Sequence, residues 1–342
     1  MGRSPRTARA ARPDGQDSLE AGAPANVPDV AGTQTLSITR LRPAERWVRI
    51  KDTLVAHLVL ASGATAIVAL LLIFVFLLKD AIPVLRTVSP VNFLTGDTWQ
   101  PEFEKFGILP LLAGSFFVTL GALVLAVPVG ICCAIYIAEV APRRIREPLK
   151  VVVEVLAGIP SVVVGFIGLA VAGPFIQRVF DLPTGLTALT GSIMLAFMSM
   201  PTIISISEDA ITAVPKAYRD GSLALGATKW ETIRRIVVPS AKSGIIAACM
   251  LGVGRAVGET MTVLMVTGNA AVLPKGLAGI VPFFLGPVRT MTATIAADMG
   301  ETVQHSPHYH ALFAVGVTLF AISFLINLTA DLALGRQRSH PA

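Results

Sequence analysis

Six long apolar runs alternate with polar stretches along the chain, at residues 54–78, 111–138, 151–175, 186–206, 243–268 and 311–334. A helix rises 1.5 Å per residue, so about 20 apolar residues cross the hydrocarbon core of a bilayer. The pattern predicts an all-α, polytopic membrane protein of six transmembrane helices. Two runs carry internal irregularities. Gly158-Ile159-Pro160-Ser161 interrupts the third, where proline removes a backbone donor and kinks the helix. Irregular backbone at membrane depth is tolerated where protein buries it or where it lines a wet cavity. The fifth run contains Arg255 and Glu259 and no other charged residue.

Composition agrees: 53% of residues are hydrophobic and 15% charged, well below the roughly 25% of soluble domains. The 342 residues divide into a tail, 1–45, and a membrane domain, 46–342. The tail is rich in Ala, Arg, Pro and Gly without apolar periodicity, and is expected to be a disordered cytoplasmic segment. The pI of about 9.5 could suggest nucleic acid, but the basic residues collect at membrane boundaries, so no nucleic-acid partner is expected. Counted by loop, twenty-one lysines and arginines fall on the side of the N-terminus, the 143–150 loop, the stretch between the fourth and fifth runs and the C-terminus, against six on the other. Positive charge marks the cytoplasmic face, so both termini are expected there, in a plasma membrane.

Arg255 is the one basic side chain that this alternation cannot place in water or at a membrane edge. An ionisable group at membrane depth costs several kcal/mol and marks a functional site by default. At i and i+4 on a helix the two side chains share a face, and Glu259 is expected to neutralise Arg255. Such a pair is either a structural strut or part of an anion path.

The 208–240 loop is long, polar and helix-competent, with a break at Gly226. Asp220-Gly221-Ser222 is followed by three residues, Gly226, nine residues, and Ile236-Val237-Val238-Pro239. This spacing resembles the EAA loop of ABC importer permeases, which seats a coupling helix in a cleft of the ATPase subunit. The triplet keeps the acid but lacks both alanines. Leu223, Leu225 and Trp230 could dock, with Lys229, Arg234 and Arg235 setting orientation. A second loop, 270–310, contains an amphipathic stretch at 274–301, expected to be a short surface helix pair on the external face.

Five further stretches are similar to permeases of the phosphate-specific transport (Pst) system, in the form of its PstC-type subunit. They are FGILP at 106–110, AVPVG at 126–130, GIPSVVVGF at 158–166, GRAVGETMTVLMVTGN at 254–269 and HYHALFAVGVTLFAISFLIN at 308–327. The resemblance implies an ABC importer type I permease fold pairing with a PstA-type permease. It also implies two PstB-type ATPases that use ATP-Mg, and a PstS-type phosphate-binding protein outside. Arg255 and Glu259 match the charged pair implicated in phosphate passage. Thr262, with Pro160 and Ser161 of the broken third run, joins them as candidate pathway residues. Asp220, Gly221, Ser222, Gly226, Ile236 and Pro239 are the candidate ATPase-coupling residues.

Other classes fit less well. A secondary transporter would use inverted repeats and midplane acids, and no repeat is evident. His305, His308 and His310 form a cluster, but lack an acidic base nearby in sequence, and no metal site or bound cofactor is expected. No G-x-x-x-x-G-K-[ST] run occurs, so the chain cannot hydrolyse ATP and must borrow that activity. Phosphate against another oxyanion is decided by the resemblance alone, because an arginine binds any oxyanion.

Overall fold

The computed structural model describes residues 43–274 and 276–338. The expected tail lies almost wholly outside them. The chain divides at Thr65 into two units. The first contributes residues 43–65 of helix α1 (Pro43–Thr87), whose side chains from Lys51 on are exposed.

In the second unit, the rest of α1 leads to α2 (Pro90–Thr95) and a two-residue hairpin, β1 (Trp99–Gln100) against β2 (Lys105–Phe106). Helix α3 (Leu109–Ile135) follows, then α4 (Arg143–Ala157), α5 (Ser161–Ile167) and α6 (Gly173–Val179). Helix α7 (Ala188–Thr212) is the central one, packed against α3, α4 and α11. The 208–240 loop folds as α8 (Lys216–Ala224), α9 (Lys229–Thr232) and α10 (Val238–Ser240). Beyond it lie α11 (Lys242–Gly258), α12 (Met261–Val266), α13 (Ile280–Leu285), α14 (Met291–Asp298) and α15 (Pro307–Arg338).

Among the described residues five helices are long and apolar enough to cross a membrane: Lys51–Thr87, Leu109–Val140, Ser161–Val179, Ala188–Thr212 and Pro307–Thr329. A sixth crossing requires the pair Lys229–Ser240 and Lys242–Gly258, bent by 68°. The expected spans therefore stand, with two corrections. The third starts at Ser161 rather than at residue 151. Pro160 disfavours helical geometry at Ile159, so α4 ends at Ala157, and the seven residues of α4 from 151 on, with Glu154 among them, are too few to cross. The fifth run is not one helix to residue 268, because the chain leaves helical geometry at Glu259.

Three helices widen locally into a π turn: Tyr136–Val140, Gly168–Ala172 and Ile233–Val237. Each ends two residues before a proline, respectively Pro142, Pro174 and Pro239. Proline cannot donate to the carbonyl one turn back and its ring crowds that carbonyl; widening the turn accommodates both effects.

The 274–301 stretch does form two short helices, α13 and α14, but the first half of α14 is packed inside, with Ala296 exposed beyond it. Met291, Thr292, Ala293 and Thr294 are buried, against α12, α15 and α3. Threonine hydroxyls make this burial affordable by bonding locally, as in Thr294 Oγ1 to the Thr290 carbonyl at 2.7 Å.

Candidate functional site

Two regions of the structure collect the residues singled out by sequence. The first lies where two helices start afresh within the membrane-spanning bundle. Pro160 is extended (φ −59°, ψ 136°) and α5 begins at Ser161. Glu259 is likewise extended (φ −71°, ψ 129°), and α12 begins at Met261. The two breaks are joined directly: the hydroxyl of Thr262, wholly buried, donates to the Ser161 carbonyl at 2.9 Å. A Cβ built on Gly165 would stand 2.8 Å from the Met265 sulfur and 3.2 Å from the Thr262 Cα. Only glycine lets α5 and α12 approach this closely.

Glu259 holds the second break. Its Oε1 accepts from the Thr262 backbone N–H at 3.4 Å, at the start of α12 where such donors have no helical partner. Its carbonyl accepts from Thr292 Oγ1 of α14 at 2.9 Å. Ser161, Glu259 and Thr262 are therefore brought together, with Pro160 adjacent.

Arg255 is not in that cluster. The helical pairing expected of Arg255 and Glu259 fails, because Glu259 has already left the helix and its carboxylate turns toward Thr262. The side chain of Arg255 is exposed in this single chain, and the six ion pairs among the described residues all lie elsewhere. Thr292 was invisible in the sequence, since a threonine in a moderately apolar loop gives no spacing signal.

The second region is the 208–240 loop. Gly226 adopts φ +85°, in the left-handed region. The Gly226 N–H bonds to the Leu223 carbonyl at 3.0 Å, and the Ala227 N–H to the Ser222 carbonyl at 3.2 Å. This double closure is a Schellman end, in which glycine takes the left-handed position. Two residues later Thr228 caps α9 reciprocally with Glu231. One helix is stopped and the next started within four residues. A groove of about 640 Å³ between α8 and the following helical turns collects Gly221, Ser222, Gly226 and Ile236, four of the six candidate coupling residues. Asp220 is exposed on α8, and Pro239 sits in the first turn of α10.

The departures from the EAA triplet acquire a physical content here. The Ser222 hydroxyl lies 3.0 Å from Thr232 Oγ1, tying α8 to α9, a bond alanine cannot make. A Cβ at Gly221 would meet nothing, so that face is open. Leu225 and Trp230 stand 91% and 62% exposed, leaving an uncovered apolar surface around the turn.

Charged side chains fasten this end of the bundle. Glu208, buried at the end of α7, accepts from Arg146 and Lys150 of α4 at 2.8 Å each, and Asp209 from Lys150 at 2.9 Å. Those carboxylates hold the Lys150 ammonium protonated well above the usual lysine range. Sequence counting treated Arg146 and Lys150 only as topology markers; their acidic partners lie about sixty residues away, and no local pattern connects them. At the opposite end of the bundle the histidines diverge. His308 Nε2 lies 3.3 Å from Asp298, which also pairs with Arg289 at 2.5 Å, while His310 Nδ1 lies 2.7 Å from the Asp80 carbonyl. Among the described residues no three His, Cys, Asp or Glu side chains are grouped to hold a metal.

A multi-pass helical bundle with helices restarted at membrane depth and an exposed two-helix loop on one end defines a transporter's membrane component. Residues 126–338 match the family "Binding-protein-dependent transport system inner membrane component", and the chain belongs to that family. Among curated proteins it is 44% identical over 243 residues to the "Probable ABC transporter permease protein YqgH" of Bacillus subtilis, covering 70% of this chain and 76% of that one. It is 37% identical over 264 residues to the "Phosphate transport system permease protein PstC" of Mesorhizobium japonicum (72% and 78% covered). It is 35% identical over 316 residues to "PstC 2" of Mycobacterium tuberculosis (86% and 94% covered). A solved bacterial ABC transporter of alginate, in complex with its periplasmic protein, shares the fold, with TM-score 0.54 and 15% identity over 86% of this chain and 99% of that one. The chain is thus a permease subunit of the inner membrane, with the ABC importer fold.

Proposed function

We propose that this chain is the PstC-type permease subunit of an ATP-driven importer of inorganic phosphate. It forms half of the pathway beside a PstA-type permease. Two PstB-type ATPases, which hold the ATP-Mg, seat against the 208–240 loop. A PstS-type phosphate-binding protein docks at the opposite end, and lipid surrounds the spans. The observation that carries this reading is Arg255, exposed on α11 of the bent sixth crossing and in no ion pair among the described residues.

A guanidinium at the bilayer centre costs about 2.5–3.5 kcal/mol by insertion scales, so this face of α11 is covered by protein or by water rather than by lipid. Gly254 and Gly258, on either side of Arg255, have nothing near a built Cβ. A second helix can come close there, as small residues permit in membranes. Arginine's planar fork then offers paired donors to a phosphate oxyanion crossing between the two permeases. That the oxyanion is phosphate is supported by relatives named for phosphate transport. Thr262, Pro160 and Ser161 form the adjoining wall through the joined breaks of α5 and α12, and Glu259 sets the second break.

Labelled phosphate uptake in cells lacking other phosphate importers tests the function. Uptake restored by this chain should need ATP and its ATPase partner, and a large excess of sulfate or molybdate should leave it unchanged. Competition by either would reassign the substrate to another oxyanion; uptake independent of an ATPase would make the chain a secondary transporter. Orientation is tested separately. A cysteine at Thr95 should react with an impermeant thiol reagent from outside, and one at Thr228 only from inside; the reverse pattern would invert the topology, which places both termini in the cytoplasm.

A further inference from the structure

We infer that Arg219 is a positioning residue for the ATP-coupled step, keying the coupling helix α8 onto the ends of two membrane spans at once. The inference rests on reading the 208–240 loop as the seat of the ATPase. Arg219 immediately precedes the Asp220-Gly221-Ser222 triplet, yet its side chain turns away from the open face. Its Nε and Nη2 donate to Glu139 Oε1 at 3.0 and 2.7 Å. Nη2 also donates to the Ile211 carbonyl at 2.8 Å, and Nη1 to the Val214 carbonyl.

The two targets belong to different spans. Glu139 lies in the π turn Tyr136–Val140 that ends the α3 span. Ile211 is in the last turn of α7, and Val214 stands just beyond its final residue. Carbonyls at a helix C-terminus lack their i+4 donors, the Ile211 one keeping a bond from the Val214 N–H at 3.3 Å, and the negative end of the helix dipole favours a cation. The Arg219 and Glu139 side chains are only 19% and 11% exposed, so water weakens the joint little. On its other side α8 is tied to α9 through Ser222 and Thr232.

A displacement of α8 therefore reaches α3 and α7 through one guanidinium. Both helices pack against α11, which carries Arg255. No other side chain does this job: lysine offers a point charge on a flexible stem and cannot span one carboxylate and two carbonyls in fixed geometry. The charge pairs of α4 with Glu208 and Asp209 brace α7 but do not touch α8.

The test uses the assembled transporter, purified with its permease and ATPase partners and reconstituted with the binding protein. Arg219→Lys should leave the amount of assembled complex and its basal ATP hydrolysis near wild type, while phosphate moved per ATP falls about tenfold. Glu139→Ala, which leaves both carbonyl bonds in place, should lower the same ratio in the same direction. The inference is overturned if either variant moves phosphate per ATP at the wild-type ratio. It is equally overturned if assembly falls while that ratio holds, because Arg219 would then be a brace alone. A wild-type chain whose complex shows no substrate-stimulated ATP hydrolysis would instead refute the reading of the loop itself, and this inference with it.

Discussion

Arg255→Gln is expected to reduce phosphate uptake at least about thirtyfold, the effect of losing about 2 kcal/mol or more of charge-assisted binding, while membrane levels and partner assembly stay near wild type. Glutamine is shorter and keeps two of the five N–H donors, but it stays polar and removes the positive potential that offsets an anion's desolvation. The structure sharpens the choice between pathway and strut. A strut needs the Arg255–Glu259 bond within the chain, and Glu259 instead caps the break before α12. Glu259→Gln retains an oxygen for the Thr262 N–H, so the break should survive. Its uptake should still fall, because the anionic cap that sets the break before α12 becomes a weaker, neutral one. Labelled uptake in the double variant Arg255→Gln/Glu259→Gln decides the matter. Two charges that only brace each other are cheaper to remove together than singly, so recovery of transport in the double variant would sink the pathway role.

Why the sequence revealed the spans but not their joints follows from the range of the forces involved. Hydropathy is a local sum, and each span had to appear as a long apolar run. Loop signals are local as well: glycine at 226 and a threonine-to-glutamate cap at 228–231 stop one helix and start the next without help from elsewhere. The break at Glu259 escaped because hydropathy is blind to dihedral angles. A run of apolar residues around Gly258-Glu259-Thr260 looks continuous, whereas what ends the helix is a carboxylate turning to cap the next one and a Thr292 hydroxyl arriving from thirty-three residues away. The pairing of Arg219 with Glu139 spans eighty residues and was equally hidden. The start of the third span was legible in principle. Pro160 and Glu154 both argue against one helix crossing from residue 151, although the apolar run is continuous in hydropathy.

Gly226 offers the other large effect, and a ranking rather than a single variant tests it. At φ +85° the residue lies where non-glycine side chains cost roughly 1–2 kcal/mol, and asparagine less because it visits this region more readily. Nothing stands near a Cβ built there, so alanine meets strain but no clash. Proline is different in kind. Its ring holds φ near −65°, and it abolishes the N–H that bonds to the Leu223 carbonyl. The Schellman end of α8 cannot form, and the apolar surface of Leu225 and Trp230 turns away from its docking direction. Gly226→Asn should transport nearly as well as wild type, Gly226→Ala less well, and Gly226→Pro should insert in the membrane in normal amount yet lose substrate-stimulated ATP hydrolysis. Gly226 itself stands on an open turn with nothing near a built Cβ, so the loss is one of coupling and not of folding. Stimulated hydrolysis at the wild-type rate in the Gly226→Pro complex would mean that this turn does not set the contact with the ATPase.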